Sequence, residues 1–344
     1  MNKHEGVKAF DTESAARSYR SISSLSIGYI TSIRAIVEKG FQSFIKNKKQ
    51  LITVLEVGAG QGKSSWATKQ TLKSIGIRNV KIIGTEKAMK QIKEGHATKN
   101  YWFINNRKDR KLIPPKIQSD AEYLPILSES ADVHMSSQVD HWIVPKESLL
   151  ESYKEAFRIL KSDGLLVHAV SGLVDLGENN KYHFTRSPFY QEGFLIELKN
   201  ILISKGYWNK NLGEFDPYNL NVNPFYHQYS LEPQQENGIP NLLKRAGFND
   251  IKVDYYMACL DAKEMEARMT NLAMLNMHLF QGNFAANISE EERQSIAKKA
   301  FEVAKKNKPN LWSQLSLQPN KIIEGMPQDL LYGEPVPVIT ARKK

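Results

Sequence analysis

Residues 51–62 read Leu-Ile-Thr-Val-Leu-Glu-Val-Gly-Ala-Gly-Gln-Gly, an apolar run that passes through Glu56 into Gly58, Ala59, Gly60 and Gly62. A β-branched stretch with no charge before Glu56 predicts a buried parallel strand. Glycines at alternate positions let the backbone turn tightly and approach a ligand where a Cβ would block it. Lys63 to Ser74 then predicts a helix whose free N–H groups point back toward that ligand. Strand, glycine loop and helix together make a nucleotide-type pocket.

Spacing separates the ligands that use such a loop. A dinucleotide fingerprint, G-x-G-x-x-G, would need its third glycine at Lys63. A phosphate-cradling loop, G-x-x-x-x-G-K-S, finds its end in Gly62-Lys63-Ser64, but its first glycine would have to be Val57. Glu56 would also stand against the phosphates. A P-loop-like phosphotransferase using Lys63 and Ser64 stays open as an alternative. The pattern Glu56-x-Gly58-x-Gly60-x-Gly62 resembles motif I of the class I S-adenosylmethionine-dependent methyltransferases. That resemblance implies that Glu56, Gly58, Ala59, Gly60 and Gly62 hold the methionine part and the ribose of S-adenosylmethionine.

Later stretches extend the resemblance. Val80-Lys-Ile-Ile-Gly-Thr-Glu86 reads as a second strand ending in an acid, which can accept both ribose hydroxyl protons; in the family this is the ribose position. Ser119-Asp120-Ala121-Glu122-Tyr123-Leu124-Pro125 looks like the family's D-A-x-x-L-P segment, so Asp120 and Ala121 inherit contacts to the adenine. Ala131 to Ser137 is the fourth strand, and Gln138-Val-Asp140-His141-Trp142 is its carboxyl-end loop. Ligands of open α/β sheets sit outside the carboxyl ends of strands. Ser137 therefore joins the cofactor contacts, and the loop should face the transferring methyl. An amphipathic helix (151–160), a turn (161–164), a fifth strand (165–170), and a late helix and strand (242–254) follow the family's order. The implied fold is α/β, a Rossmann-like seven-stranded class I methyltransferase sheet with helices on both faces. Helical and loop insertions would form a substrate lid.

The 344 residues divide as an N-terminal helical cover (1–50), the cofactor-binding core (51–175), an aromatic-rich insertion (176–237) and the end of the core sheet (238–344) with a helical insertion at about 262–330. Residues 335–341 read as a last strand at the sheet's antiparallel edge, because prolines suit an edge. A net charge of +10 is spread over helix ends and loops, which argues against a nucleic-acid partner. No apolar run is long enough for a membrane span. The lone Cys259 and the absence of an apolar N-terminal run suit a cytoplasmic protein. The scattered histidines show no metal-ligand spacing.

The acceptor side is thinner. The layout resembles the small-molecule N-methyltransferases of the histamine methyltransferase type, which implies a small-molecule substrate methylated on nitrogen or oxygen by direct in-line displacement. Methylation of protein or RNA is the alternative. An amine needs no strong base, whereas a hydroxyl does, and His141 is the first candidate; Asp140 could instead hold an ammonium group. Tyr19, Trp142, Tyr182 and His183 are further candidates for lining the acceptor site. The aromatics of 177–231 either wall that site or fill a core of their own, and the methionines of 264–280 read as core packing. Oligomeric state is not legible.

Overall fold

The structure is a computed structural model that describes residues 27–47, 50–89, 92–93, 115–170, 174–175, 187–208, 229–259, 261–270, 287–317, 321–325 and 334–344. The elements in chain order are α1 (Ile27–Gly40), β1 (Ile52–Val57), α2 (Lys63–Ser74), β2 (Val80–Glu86), β3 (Lys116–Gln118), β4 (Ala131–Ser137), α3 (Lys146–Ile159) and β5 (Leu160–Ala169). Two-residue strands β6 (Val174–Asp175) and β7 (Tyr229–Ser230) flank α4 (Leu195–Ser204), which a π-helical turn at Phe189–Phe194 precedes. Then come α5 (Ile239–Arg245), β8 (Asn249–Cys259), α6 (Ala262–Thr270), α7 (Glu290–Asn307), α8 (Pro309–Leu317), β9 (Lys321–Glu324) and β10 (Glu334–Arg342).

One sheet in the order β3-β2-β1-β4-β5-β10-β8-β9 organises the molecule. Its first five strands are parallel, and β10 runs antiparallel to both neighbours. Alternate residues of each strand face opposite layers. Val54, Val133, Met135, Val167 and Val338 meet Ala35, Ile36 and Val37 of α1 and the inserted helices. Leu55, Leu166 and Ile339 meet Leu149 and Tyr153 of α3 and Leu242 and Leu243 of α5. The α/β class I architecture with helices on both faces is thus present, with an eighth strand, β9, added at the β8 edge.

Two details depart from the sequence reading. The last strand is interior, between β5 and β8, and not the sheet's edge. Its prolines fit because pairing with β5 begins only at Val338 opposite Ala169. The Pro337 carbonyl accepts the Val170 N–H at 3.0 Å, so the odd-numbered residues aim their polar groups toward the β5 side. Pro335 and Pro337 therefore turn their missing N–H toward the β5 side, where that ladder runs out at Val170, and leave the bonds to β8 intact. The turn expected at 161–164 is a bulge inside β5: the register jumps from Ala131–Leu160 to Val133–Leu165. Asp163 there takes φ +64°, and its N–H bonds to the Lys343 carbonyl at 2.9 Å.

The insertions pack as a helical layer on the α1 side. Phe301 of α7 lies 5.7 Å from the Phe189 ring and 5.3 Å from Trp312 of α8, both edge-on. Met265 and Met269 of α6 are fully buried in the same cluster, as core packing requires. Ser289 caps α7 by accepting the Glu292 N–H at 3.2 Å. The Glu292 carboxylate, by contrast, turns outward to Lys205 at 2.9 Å and the Tyr207 hydroxyl at 2.6 Å.

Candidate active site

β1 delivers Glu56 to a fully buried position beneath the glycine loop. Gly58, Gly60 and Gly62 take φ of +69°, +51° and +93°, a region that side chains resist. A Cβ on Gly58 would stand 2.3 Å from Cγ2 of Val139, so this glycine lets the β1 loop touch the loop after β4. A Cβ on Gly60 would meet nothing within 4 Å, leaving a cradle open above it. The Ser65 hydroxyl donates to Glu56 Oε2, and Ser64 adds a second hydrogen bond from the first turn of α2. Glu56 Oε1 is buried with no partner. Burial pushes this carboxyl up to about 7, against the pull of Ser64, Ser65 and Lys116 and with a push from Glu86.

Glu86 ends β2 on the other side of the same loop. Its Oε2 accepts the Gly60 N–H and its Oε1 the Ala88 N–H, both at 2.8 Å. A carboxylate has about four acceptor sites, and with the Lys87 N–H also bearing on this one, acceptor capacity remains for a hydroxyl. Asp120 carries an ion pair to Lys87 at 2.6 Å, and Ala121 is buried beside it in the loop after β3. Ser137 ends β4 with a buried, unpartnered Oγ. The expected cofactor residues therefore come from the carboxyl ends of β1, β2, β3 and β4, along one rim of the sheet. Open acceptors on Glu56 and Glu86, a free Ser137 hydroxyl and a glycine cradle fit a ligand rich in amine and hydroxyl donors.

The arrangement fits a nucleoside phosphate badly. Ser64 is committed to Glu56, and Lys63, pushed down to about 7 by burial, is held back by Glu264. A phosphate at this helix start would face Glu56 and Glu86. The Lys63–Ser64 alternative therefore lacks the donor geometry it needs. Among the described residues no group of three acids, histidines or cysteines could hold a metal.

The loop after β4 makes a single tight turn, with the Trp142 N–H on the Val139 carbonyl at 2.7 Å. His141 is almost wholly buried, its ring 5.1 Å from that of Trp142, and its Nδ1 has no partner. Burial pushes its imidazole down to about 4, with Asp140 and Glu334 opposing, so it is neutral at pH 7. Asp140 points the other way, into the layer under α3. Its carboxylate accepts from the Tyr153 hydroxyl at 2.6 Å and from Ser136 at 3.2 Å, and pairs with His168 Nδ1 at 2.8 Å. His168 Nε2 in turn lies 2.9 Å from His134 Nδ1. Burial raises the Asp140 carboxyl, but His168, Tyr153 and Ser136 outweigh it and hold it below its ordinary range.

Asp140 and His141 are thus neighbours in sequence that face different surroundings. Trp142 joins His141, while Tyr19, Tyr182 and His183 lie outside the described residues. Of the aromatic insertion, Phe189 and Tyr190 fill the helical layer's own core. Tyr229 reaches the acceptor loop, where its hydroxyl donates to the Ile143 carbonyl. Lys116, Ser65, His134, Tyr153 and His168 escaped the sequence reading, and Ser64, read there as a phosphate ligand, instead bonds Glu56. Only the alternation in Ala131-Asp-Val-His-Met-Ser-Ser137, which sets Asp132, His134 and Ser136 on one face, hinted at a polar layer.

Residues 55–168 match the family described as "Methyltransferase domain". No curated protein matches the chain in sequence. Among solved structures it is similar to a SAM-dependent methyltransferase from Thermotoga maritima described as a possible histamine N-methyltransferase: 15% identity, TM-score 0.43, 99% of this chain and 100% of that one covered. It is also similar to phosphoethanolamine N-methyltransferase 2 of Haemonchus contortus in complex with phosphomonomethylethanolamine and S-adenosylhomocysteine: 13% identity, TM-score 0.47, 100% of this chain and 60% of that one covered.

Proposed function

From the premise that this chain is an S-adenosylmethionine-dependent methyltransferase, with its methyltransferase domain at residues 55–168, we propose that it methylates a nitrogen or oxygen of a small-molecule acceptor by direct in-line displacement. The observation that carries the acceptor class is His141, a buried neutral imidazole with an open Nδ1 on the loop that touches the glycine turn. An open imidazole nitrogen suits an acceptor with an N–H or O–H to donate. Trp142 beside it supplies an apolar wall.

Glu56, Gly58, Ala59, Gly60, Gly62, Glu86, Asp120, Ala121 and Ser137 would hold the cofactor, which supplies a methyl already activated by the sulfonium. The protein's share is then mainly orientation and exclusion of water, which can be worth roughly 7–11 kcal/mol. His141 would accept the acceptor's hydrogen bond and, for a hydroxyl, take its proton. Asp140, engaged by His168, Tyr153 and Ser136, is assigned to holding the loop and not to binding an ammonium group. The test is parallel calorimetric titration with S-adenosylmethionine, S-adenosylhomocysteine and ATP–magnesium, followed by methyl transfer to a panel of small amines and phenols. Binding of the two sulfur nucleosides alone, with turnover on a panel member, is expected. Turnover only on protein or RNA would overturn the small-molecule assignment.

A further inference from the structure

Lys116 enters the site from a direction the motifs do not announce. It opens β3, opposite Gly84 in the parallel register. A Cβ on Gly84 would stand 2.8 Å from the Ala59 Cβ and 3.5 Å from Lys116 Cγ, so this glycine opens a slot for the lysine stem behind the cofactor loop. The Lys116 Nζ is buried and has no hydrogen-bond partner. The charged groups facing it are Glu56 from β1 and Glu86 from β2, and both acids act on it electrostatically. Ser64 and Ser65 of α2 face Glu56, and the Gly60 and Ala88 N–H groups face Glu86.

We propose that Lys116 is the built-in counter-ion of the cofactor site, keeping Glu86 ionised and Glu56 able to ionise near neutral pH, so that the rim can present one net negative charge to its ligand. This rests on the reading of the site as one for S-adenosylmethionine. That ligand carries a sulfonium, an ammonium and a carboxylate, one net positive charge, which matches. Two buried carboxylates without a cation would not both stay ionised; the one already nearer neutrality, Glu56, would take up a proton. It would then offer a donor where the ligand's amino group needs an acceptor. Burial lowers Lys116 itself to about 8, so the device works at neutral pH and fades above it.

The experiment compares wild-type protein with Lys116→Met, which keeps the stem and drops the charge. Binding of S-adenosylmethionine, and of S-adenosylhomocysteine, which lacks the sulfonium charge, is titrated calorimetrically at pH 7 and pH 9, with folding checked by circular dichroism at each pH. The readout is the ratio of the two proteins' affinities, because the ligand's own amino group also titrates in this range. At pH 7 the variant should bind about tenfold more weakly, the equivalent of a one-unit rise in an acid's pKa. By pH 9 the ratio should approach one, since Glu56 is then ionised in both proteins and Lys116 is largely neutral. Equal affinity at pH 7, or a folded variant whose deficit persists at pH 9, overturns the counter-ion role. Wild-type protein that binds no S-adenosylhomocysteine at either pH overturns the methyltransferase reading, and the inference falls with it.

Discussion

The rim of the parallel strands and the helical layer on the α1 side are built on opposite principles. Along the rim, polar groups are buried and several are left open: Glu56 Oε1, Ser137 Oγ, His141 Nδ1 and Lys116 Nζ have no partner. In the helical layer, Phe189, Phe194, Phe301 and Trp312 interlock, and Tyr207 and Lys205 close its outside on Glu292. An open buried polar atom costs stability unless something completes it. The contrast separates a region arranged for a ligand from one arranged for itself, and it predicts that changes in the two will move different observables.

The largest effect should come from the helical layer. Phe301→Ala is expected to lower stability by about 3–5 kcal/mol in denaturant unfolding, with S-adenosylhomocysteine affinity unchanged while the protein stays folded. A matching loss of affinity would break the separation.

Glu56→Gln should do the reverse. The folded carboxyl titrates at about 7 against an ordinary 4.5. Its contribution to stability is therefore fully present below about 4.5 and lost as the pH rises through about 7. The variant should melt alongside wild type near pH 4.5 and gain about 3 kcal/mol by pH 8, while binding the cofactor more weakly. Melting curves at the two pH values decide it; a variant less stable at pH 8 would show that the acid helps the empty protein.

Glu86→Ala removes the acceptor of the Gly60 and Ala88 N–H groups and the proposed ribose contact together. A loss of about 2 kcal/mol of binding, some thirtyfold, is expected in calorimetry, and unchanged affinity would remove Glu86 from the site. His141→Ala should slow turnover about tenfold, near 1.4 kcal/mol of barrier, with cofactor affinity near normal; steady-state kinetics on an identified acceptor would show it. The smallest effect belongs to Gly60→Ala. Only the φ of +51° resists the added methyl, since nothing lies within 4 Å of it. About 1 kcal/mol of stability should go, and a much larger thermal shift would mean the cradle is already filled.

How much of this was legible in sequence follows from how each feature is enforced. Glycines 58, 60 and 62 are demanded by backbone conformation, a local requirement, so the loop and the strand before it could be read residue by residue. Glu86 was readable because its strand is short and ends in a single acid. Lys116 was not, because its slot exists only where Gly84 and Ala59 come together. The Asp140–His168–Tyr153 contacts draw on a loop, a strand and a helix with no shared spacing, so Asp140 looked like a free carboxylate. The last strand was misplaced for a related reason. A proline's missing N–H matters only where a neighbour waits for it, and the end of β5 is invisible from residues 334–342.

That same strand shapes how the chain can be made. β10 is the seam between β5 and β8, so until residue 342 has left the ribosome the sheet exists as two unjoined parts. At about 5–20 residues per second, the wait after β5 is on the order of ten seconds. Through that interval Leu166 and Val167, joined in its second half by Tyr256 and Met257, line open strand edges that invite mispairing. A premature stop codon just ahead of β10 would spare every residue assigned to the cofactor and still leave the sheet unclosed.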